Sequence, residues 1–128
     1  MKFQPDTQEG VNMISRLDPG PPPRVWVGAA PFERGVLVPW TGPVLSWLEG
    51  GFDGLSPAHF ERVAALEPEV VIFGSGTRLR FPPPFLLRAL IERRIGVETM
   101  DTAAACRTYN VLAGERRRVL GALLIDPS

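Results

Sequence analysis

This chain of 128 residues has one cysteine, one histidine and one tyrosine. With Cys106 alone, no disulfide can close within it. Cys106 and His59 together cannot make a zinc site of three or four Cys and His ligands, and no metal or other cofactor is expected. Lysine is equally scarce, since thirteen of the fourteen basic residues are Arg. They are scattered along the chain, and fourteen Asp and Glu bring the formal net charge to zero. That is not the charge of a surface that displaces counterions from nucleic acid, so no nucleic-acid partner is expected. Long apolar runs are missing too. Leu120 to Ile125 falls far short of the roughly 20 residues of a membrane span, so an integral membrane protein is not expected. Met1 to Asp6 lacks the apolar stretch of a secretory signal and breaks at Pro5. It is also too acidic and Arg-poor for a mitochondrial presequence, which makes a cytoplasmic location the expectation.

What is present reads as one α/β domain over residues 1–128, with residues 1–10 as a flexible arm. Weak alternation over Val11–Leu17 predicts a first strand, stopped by the prolines after Asp18. Arg24–Gly28 is a β-branched and aromatic strand, Ala29–Arg34 a turn, and Gly35–Trp40 a returning strand. The N-terminal third is therefore a β-meander. Trp40–Leu48 is ambiguous. A helix begins at Ser56, an N-cap followed by Pro57, with Leu55 and Phe60 placed as a hydrophobic staple. Its buried stripe is Phe60, Val63 and Ala64, and Pro68 stops it. Glu69–Phe73 is a buried strand that runs into Gly74-Ser75-Gly76-Thr77. After the stiff Phe81–Pro84 segment, Leu86, Leu87, Leu90 and Ile91 stripe a second helix, with Gly96 as its C-terminal cap. Gly96–Met100 is a strand. Asp101 or Thr102 caps a third helix that ends at Gly114, and Val119–Ile125 is a central strand.

Three features could carry chemistry or binding. Gly74, Ser75, Gly76 and Thr77 form a glycine turn after a strand, where backbone N–H groups can face an anion. The pattern is neither a Walker loop nor a full dinucleotide fingerprint. The alternative is a tight turn needing positive φ at Gly74 or Gly76. Second, Asp101, Thr102, Arg107, Thr108 and Asn110 crowd polar groups onto an alanine-rich helix. Arg107 and Asn110 share a face, and Arg107 has the fork to bind a carboxylate or phosphate. The alternative is that Asp101 and Thr102 cap the helix and Arg107 makes a structural pair. Cys106, among alanines and far from the only histidine, reads as an inert core thiol. His59 reads as a surface residue. No catalytic residue is assigned. Third, Trp26, Trp40, Trp47, Phe32 and Phe52 are either core or a contact surface. The Phe81–Phe85 ledge is a second candidate surface for a protein partner or a twofold homodimer.

Several segments carry a family resemblance: Val71–Gly76, Gly96–Thr102, Ala105–Leu112 with its Thr-Tyr-Asn-Val-Leu run, and Glu115–Arg117. They resemble a family of small α/β proteins known as a domain of unknown function, whose mitochondrial member is respiratory complex I assembly factor 3. In that family the loop reads Gly-Thr-Gly, and here Ser75 replaces the threonine. The resemblance implies a three-layer domain with helices on the faces of a central mixed sheet. The C-terminal strand would be antiparallel to its neighbours, with the N-terminal β-structure packed alongside. It implies no established reaction and no cofactor. It implies a protein partner, in the manner of an assembly factor for membrane respiratory complexes, and a bacterial cytoplasmic relative of the mitochondrial protein. The other reading left open is a small-molecule or anion-binding protein, or an unrecognised enzyme, using the Gly74–Thr77 loop and the helix that starts at Asp101.

Overall fold

The computed structural model describes residues 10–125, so most of the expected N-terminal arm lies outside the described residues. The fold follows from apolar runs that need cover on both faces. Val70–Gly74 (β6) and Val119–Leu123 (β8) are buried at every position. Strands of that kind belong in the middle of a sheet. They pair in parallel, with Val70 opposite Val119. Gly96–Met100 (β7) adds a parallel edge on the far side of β6. Val36–Pro39 (β4) runs antiparallel to β8, and the short Leu45–Ser46 (β5) closes the other edge. The central sheet is mixed, with the order β5-β4-β8-β6-β7.

Alternation along these strands divides the core in two. Val36, Val38, Val70, Ile72 and Val119 face one way, onto Ala105, Cys106, Tyr109 and Ala113 of the helix Thr102–Gly114 (α3). The same core takes in Ile14, Val25 and Val27. These come from a small antiparallel sheet of Ile14–Asp18 (β1), Arg24–Val27 (β2) and Ala30–Phe32 (β3). Leu37, Val71, Phe73, Leu120 and Ala122 face the other way. They pack on Phe60, Val63 and Ala64 of Pro57–Ala65 (α1) and on Leu90 of Arg88–Glu92 (α2). Helices thus cover both faces of the sheet, which makes three layers.

Local signals hold α1 as expected. Ser56 is the N-cap and Pro57 the first helical residue. His59 is not a surface group. It is half-buried, and its Nδ1 accepts the Ser56 N–H at 3.0 Å. It fills the place that Glu or Gln takes in a capping box. Its ring meets Trp47 edge-on at 6.3 Å. Trp47 is itself core, and its Nε1 donates to the His59 carbonyl at 3.0 Å.

Four details differ from the sequence reading. Ala30–Phe32 is a strand inside the expected turn, so the meander is β1-β2-β3. Gly35–Trp40 does not return to it, because Val36, Leu37 and Val38 are all buried and only the central sheet covers both sides. Gly96 does not cap α2. Arg94 takes the left-handed conformation (φ 58°) and Ile95 N–H donates to Leu90 O, which frees Gly96 to open β7. Finally, the C-terminal strand is antiparallel to β4 only, and it is parallel to β6.

Candidate functional site

Three parallel strands, β6, β7 and β8, end together. The crevice beyond the carboxyl ends of parallel strands is where open α/β sheets most often hold ligands. Gly76 turns the chain there with φ 103°, as one glycine of the loop was expected to do. Gly74 serves by size instead, since a Cβ there would sit 2.9 Å from Thr102 Oγ1 and 3.1 Å from Thr102 Cα.

Thr102 ties the site together. Its hydroxyl donates to Leu124 O at 2.7 Å and accepts the Gly76 N–H at 2.9 Å. Its own N–H donates to Gly76 O at 2.9 Å. One side chain at the start of α3 therefore joins the glycine loop to the chain leaving β8. Asp101 is the N-cap, and its Oδ1 accepts the Ala104 N–H at 2.9 Å. Ser75 is fully buried. It donates to Arg78 O at 2.7 Å and accepts the Arg80 N–H at 3.1 Å, which braces the loop internally.

Above this bracing lies a cleft of about 470 Å³. Gly76, Thr77, Asp101 and Thr102 border it on one side, and Leu17, Pro19, Pro21, Leu124 and Ile125 wall the other. Four of the eight candidate residues therefore meet at the cleft. Gly74 and Ser75 lie behind it. Arg107 is exposed on α3 and does not line the cleft. Asn110 faces β1, where its Nδ2 donates to Ile14 O and its Oδ1 accepts the Ile14 N–H, both at 2.8 Å. Tyr109, buried beside it, donates its hydroxyl to Asn12 O at 2.8 Å.

The apolar wall was not foreseen. The Asp18–Pro23 segment looked like a strand terminator, and only the docking of β1 on α3 carries it to the cleft. A proline-rich segment between two strands of an expected meander was the one available signal.

Cys106 is buried under α3, and burial pushes its thiol from an ordinary 9.0 up to about 12. Burial also raises the Tyr109 phenol. Both groups are neutral acids in the fold, and their ionisation is easier in the unfolded chain. Their contribution to stability is complete below the unfolded values and falls as pH rises. For Cys106 that loss spans about pH 9 to about 12. A thiol reagent at neutral pH is expected to label the native chain on the order of 1,000-fold more slowly than the urea-unfolded chain, because labelling must await opening. Comparable rates in the two states would remove the inert-core assignment. Among the described residues, no group of three or more His, Cys, Asp and Glu is placed to hold a metal ion. No helix among them is long and apolar enough to cross a membrane.

The family model for a protein of unknown function (DUF498/DUF598) matches residues 24–124. The bovine (Bos taurus) NADH dehydrogenase (ubiquinone) 1 alpha subcomplex assembly factor 3 is 41% identical over 86 residues. That match covers 66% of this chain and 46% of the bovine protein, so the chain spans about half the length of that relative. A crystal structure of a Bordetella parapertussis protein superposes with a TM-score of 0.83 at 35% identity, covering 95% of this chain and 100% of that one. A solution structure from Bordetella pertussis, described as a Mth938-like domain, gives 0.82 at 29% identity over 98% of this chain and 93% of that one.

Proposed function

We propose, because this chain belongs to the DUF498/DUF598 family, that it is a non-enzymatic protein-interaction module that assists assembly of a respiratory NADH dehydrogenase. The bovine and mouse relatives are assembly factors for such an enzyme. The observation that carries the reading is the use made of the polar side chains. Ser75, through a second contact to Met100 O at 3.2 Å, and Thr102, Tyr109 and Asn110 all bond to the backbone of distant segments. Cys106, the most nucleophilic side chain in principle, is buried with its thiol held protonated. Groups committed in this way position strands. None is poised as the acid, base or nucleophile of a reaction.

Removing the gene from its host tests this. Assembled NADH dehydrogenase should fall several-fold, and the tagged chain should capture subunits of that enzyme, identified by mass spectrometry. Normal enzyme levels together with capture of no such subunit would refute it.

A second reading is favoured by the cleft alone. A hollow of about 470 Å³ at three strand ends has the size of a small-molecule site. An apolar ligand there would shift the amide resonances of Thr77 and Ala103. A fragment screen that leaves both unmoved removes this reading.

A further inference from the structure

We propose that the outward face of residues 78–94 docks on an anionic lipid surface, laying Phe81 and Phe85 into the interfacial layer. This inference stands apart from the assembly reading and from the cleft, which none of these residues lines.

The first observation is exposure. Leu79 (54%), Phe81 (70%), Phe85 (59%) and Ile91 (60%) are four of the six large apolar side chains most exposed among the described residues. All four fall within one stretch of thirteen positions. Such clustering marks an interaction surface. The segment is also firmly seated. Pro82, Leu86 and Leu90 are buried beneath it. Pro84–Leu87 forms a 3-10 turn that leads into α2. With three residues per turn, Phe85 and Arg88 stand above one another, and Ile91 follows one helical turn later. Phe85, Arg88 and Ile91 therefore form one outward stripe, and Phe81, exposed four positions before Phe85, precedes it in the chain. Arg80 lies 4.6 Å over the Phe52 ring and Arg93 donates to Ala64 O at 2.9 Å, which pins both ends of the ledge to the body.

The second observation is charge. Residues 78–94 hold five arginines and one acid, Glu92, within a chain of zero net charge. Arg78, Arg88 and Arg94 are exposed. Aromatic groups flanked by arginine are the composition of an interfacial surface. The rings enter the headgroup boundary while the guanidinium groups meet anionic phosphates.

Lipid is favoured over an acidic protein by the exposure and charge of the segment. Apolar groups more than half exposed and set among arginines need matching hollows in a protein partner. A headgroup layer accepts them without any. The prolines stiffen the ledge, so little ordering entropy opposes insertion.

The test is flotation of the full chain with phosphatidylcholine vesicles, with or without phosphatidylglycerol at about 30 mol %, in about 50 mM salt. Retention is expected only with the anionic lipid, with release at about 500 mM salt. Phe81→Ser with Phe85→Ser should lower retention at least about tenfold at unchanged Tm. Arg78→Ala with Arg88→Ala should lower it about fivefold per arginine, and this pair reads the same surface if the phenylalanine variant fails to fold. Val111→Ser, at an exposed apolar position on α3, should change nothing. Three results overturn the proposal: no retention on the anionic vesicles, equal retention on neutral ones, or retention indifferent to both double variants. Capture of an acidic protein through this face, without vesicle binding, overturns it as well.

Discussion

Asn110→Ala is expected to lower the stability of the fold by about 2–4 kcal/mol. The reason is an accounting of two backbone groups. Asn110 accepts the Ile14 N–H and donates to the Ile14 carbonyl, each at 2.8 Å, and the Ile14 side chain is fully buried. Alanine leaves both groups without a partner where water has poor access. The amide in effect adds a rung between α3 and β1, two elements that share no strand pairing. Loss of that rung should first loosen β1-β2-β3. Hydrogen exchange should speed up most in residues 14–32, while β6 and β8 keep the protection of the whole fold. Val111→Ala on the neighbouring exposed position should stay within about 0.5 kcal/mol. If urea denaturation shows Asn110→Ala to be equally mild, the rung does not hold the small sheet.

The same rung shows where sequence reading stopped. The bounds of β7, the start of α3 at a cap of Asp101 or Thr102, and the turn in the loop were legible because each rests on local chemistry: a β-branched run, a capping side chain, and a glycine with positive φ. Asn110 was legible as a polar residue on a helix but not as a clamp, because its partner lies 96 positions earlier. The far wall of the cleft was hidden for the same reason. Leu17, Pro19 and Pro21 arrive there through the docking of one sheet on α3, and no periodicity within 17–23 encodes that. Strand direction shows a further limit. An apolar run such as Val119–Leu123 says that a strand is central, and it says nothing about which neighbour runs with it. The sequence leaves Trp47 between core and surface, for want of a visible partner. The structure supplies Phe60 and Phe73, from two segments well separated in the chain.

Phe73→Ala is expected to be more damaging still, at about 3–5 kcal/mol, the usual range for removing a buried aromatic ring. Phe73 is fully buried on the face of β6 that α1 and α2 cover. Its ring lies 5.8 Å from that of Phe60, 6.0 Å from Trp47 and 6.3 Å from Phe52. Three of these four rings meet edge to face, an arrangement worth more than the buried area alone. Trp47 and Phe60 are also buried, so few groups can move into the space that alanine would leave. Phe73→Leu should recover more than half of the loss, because a branched aliphatic chain refills much of that volume. The effect should also reach the site. Phe73 directly precedes Gly74, whose carbonyl accepts the Leu124 N–H at 2.9 Å. A shift at Phe73 thus bears on the loop that Thr102 joins to the chain leaving β8. Amide exchange at Ser75 and Gly76 should therefore rise in Phe73→Ala beyond the global change. If the loop exchanges only as fast as the reduced overall stability dictates, the aromatic cluster supports the fold without tuning the site.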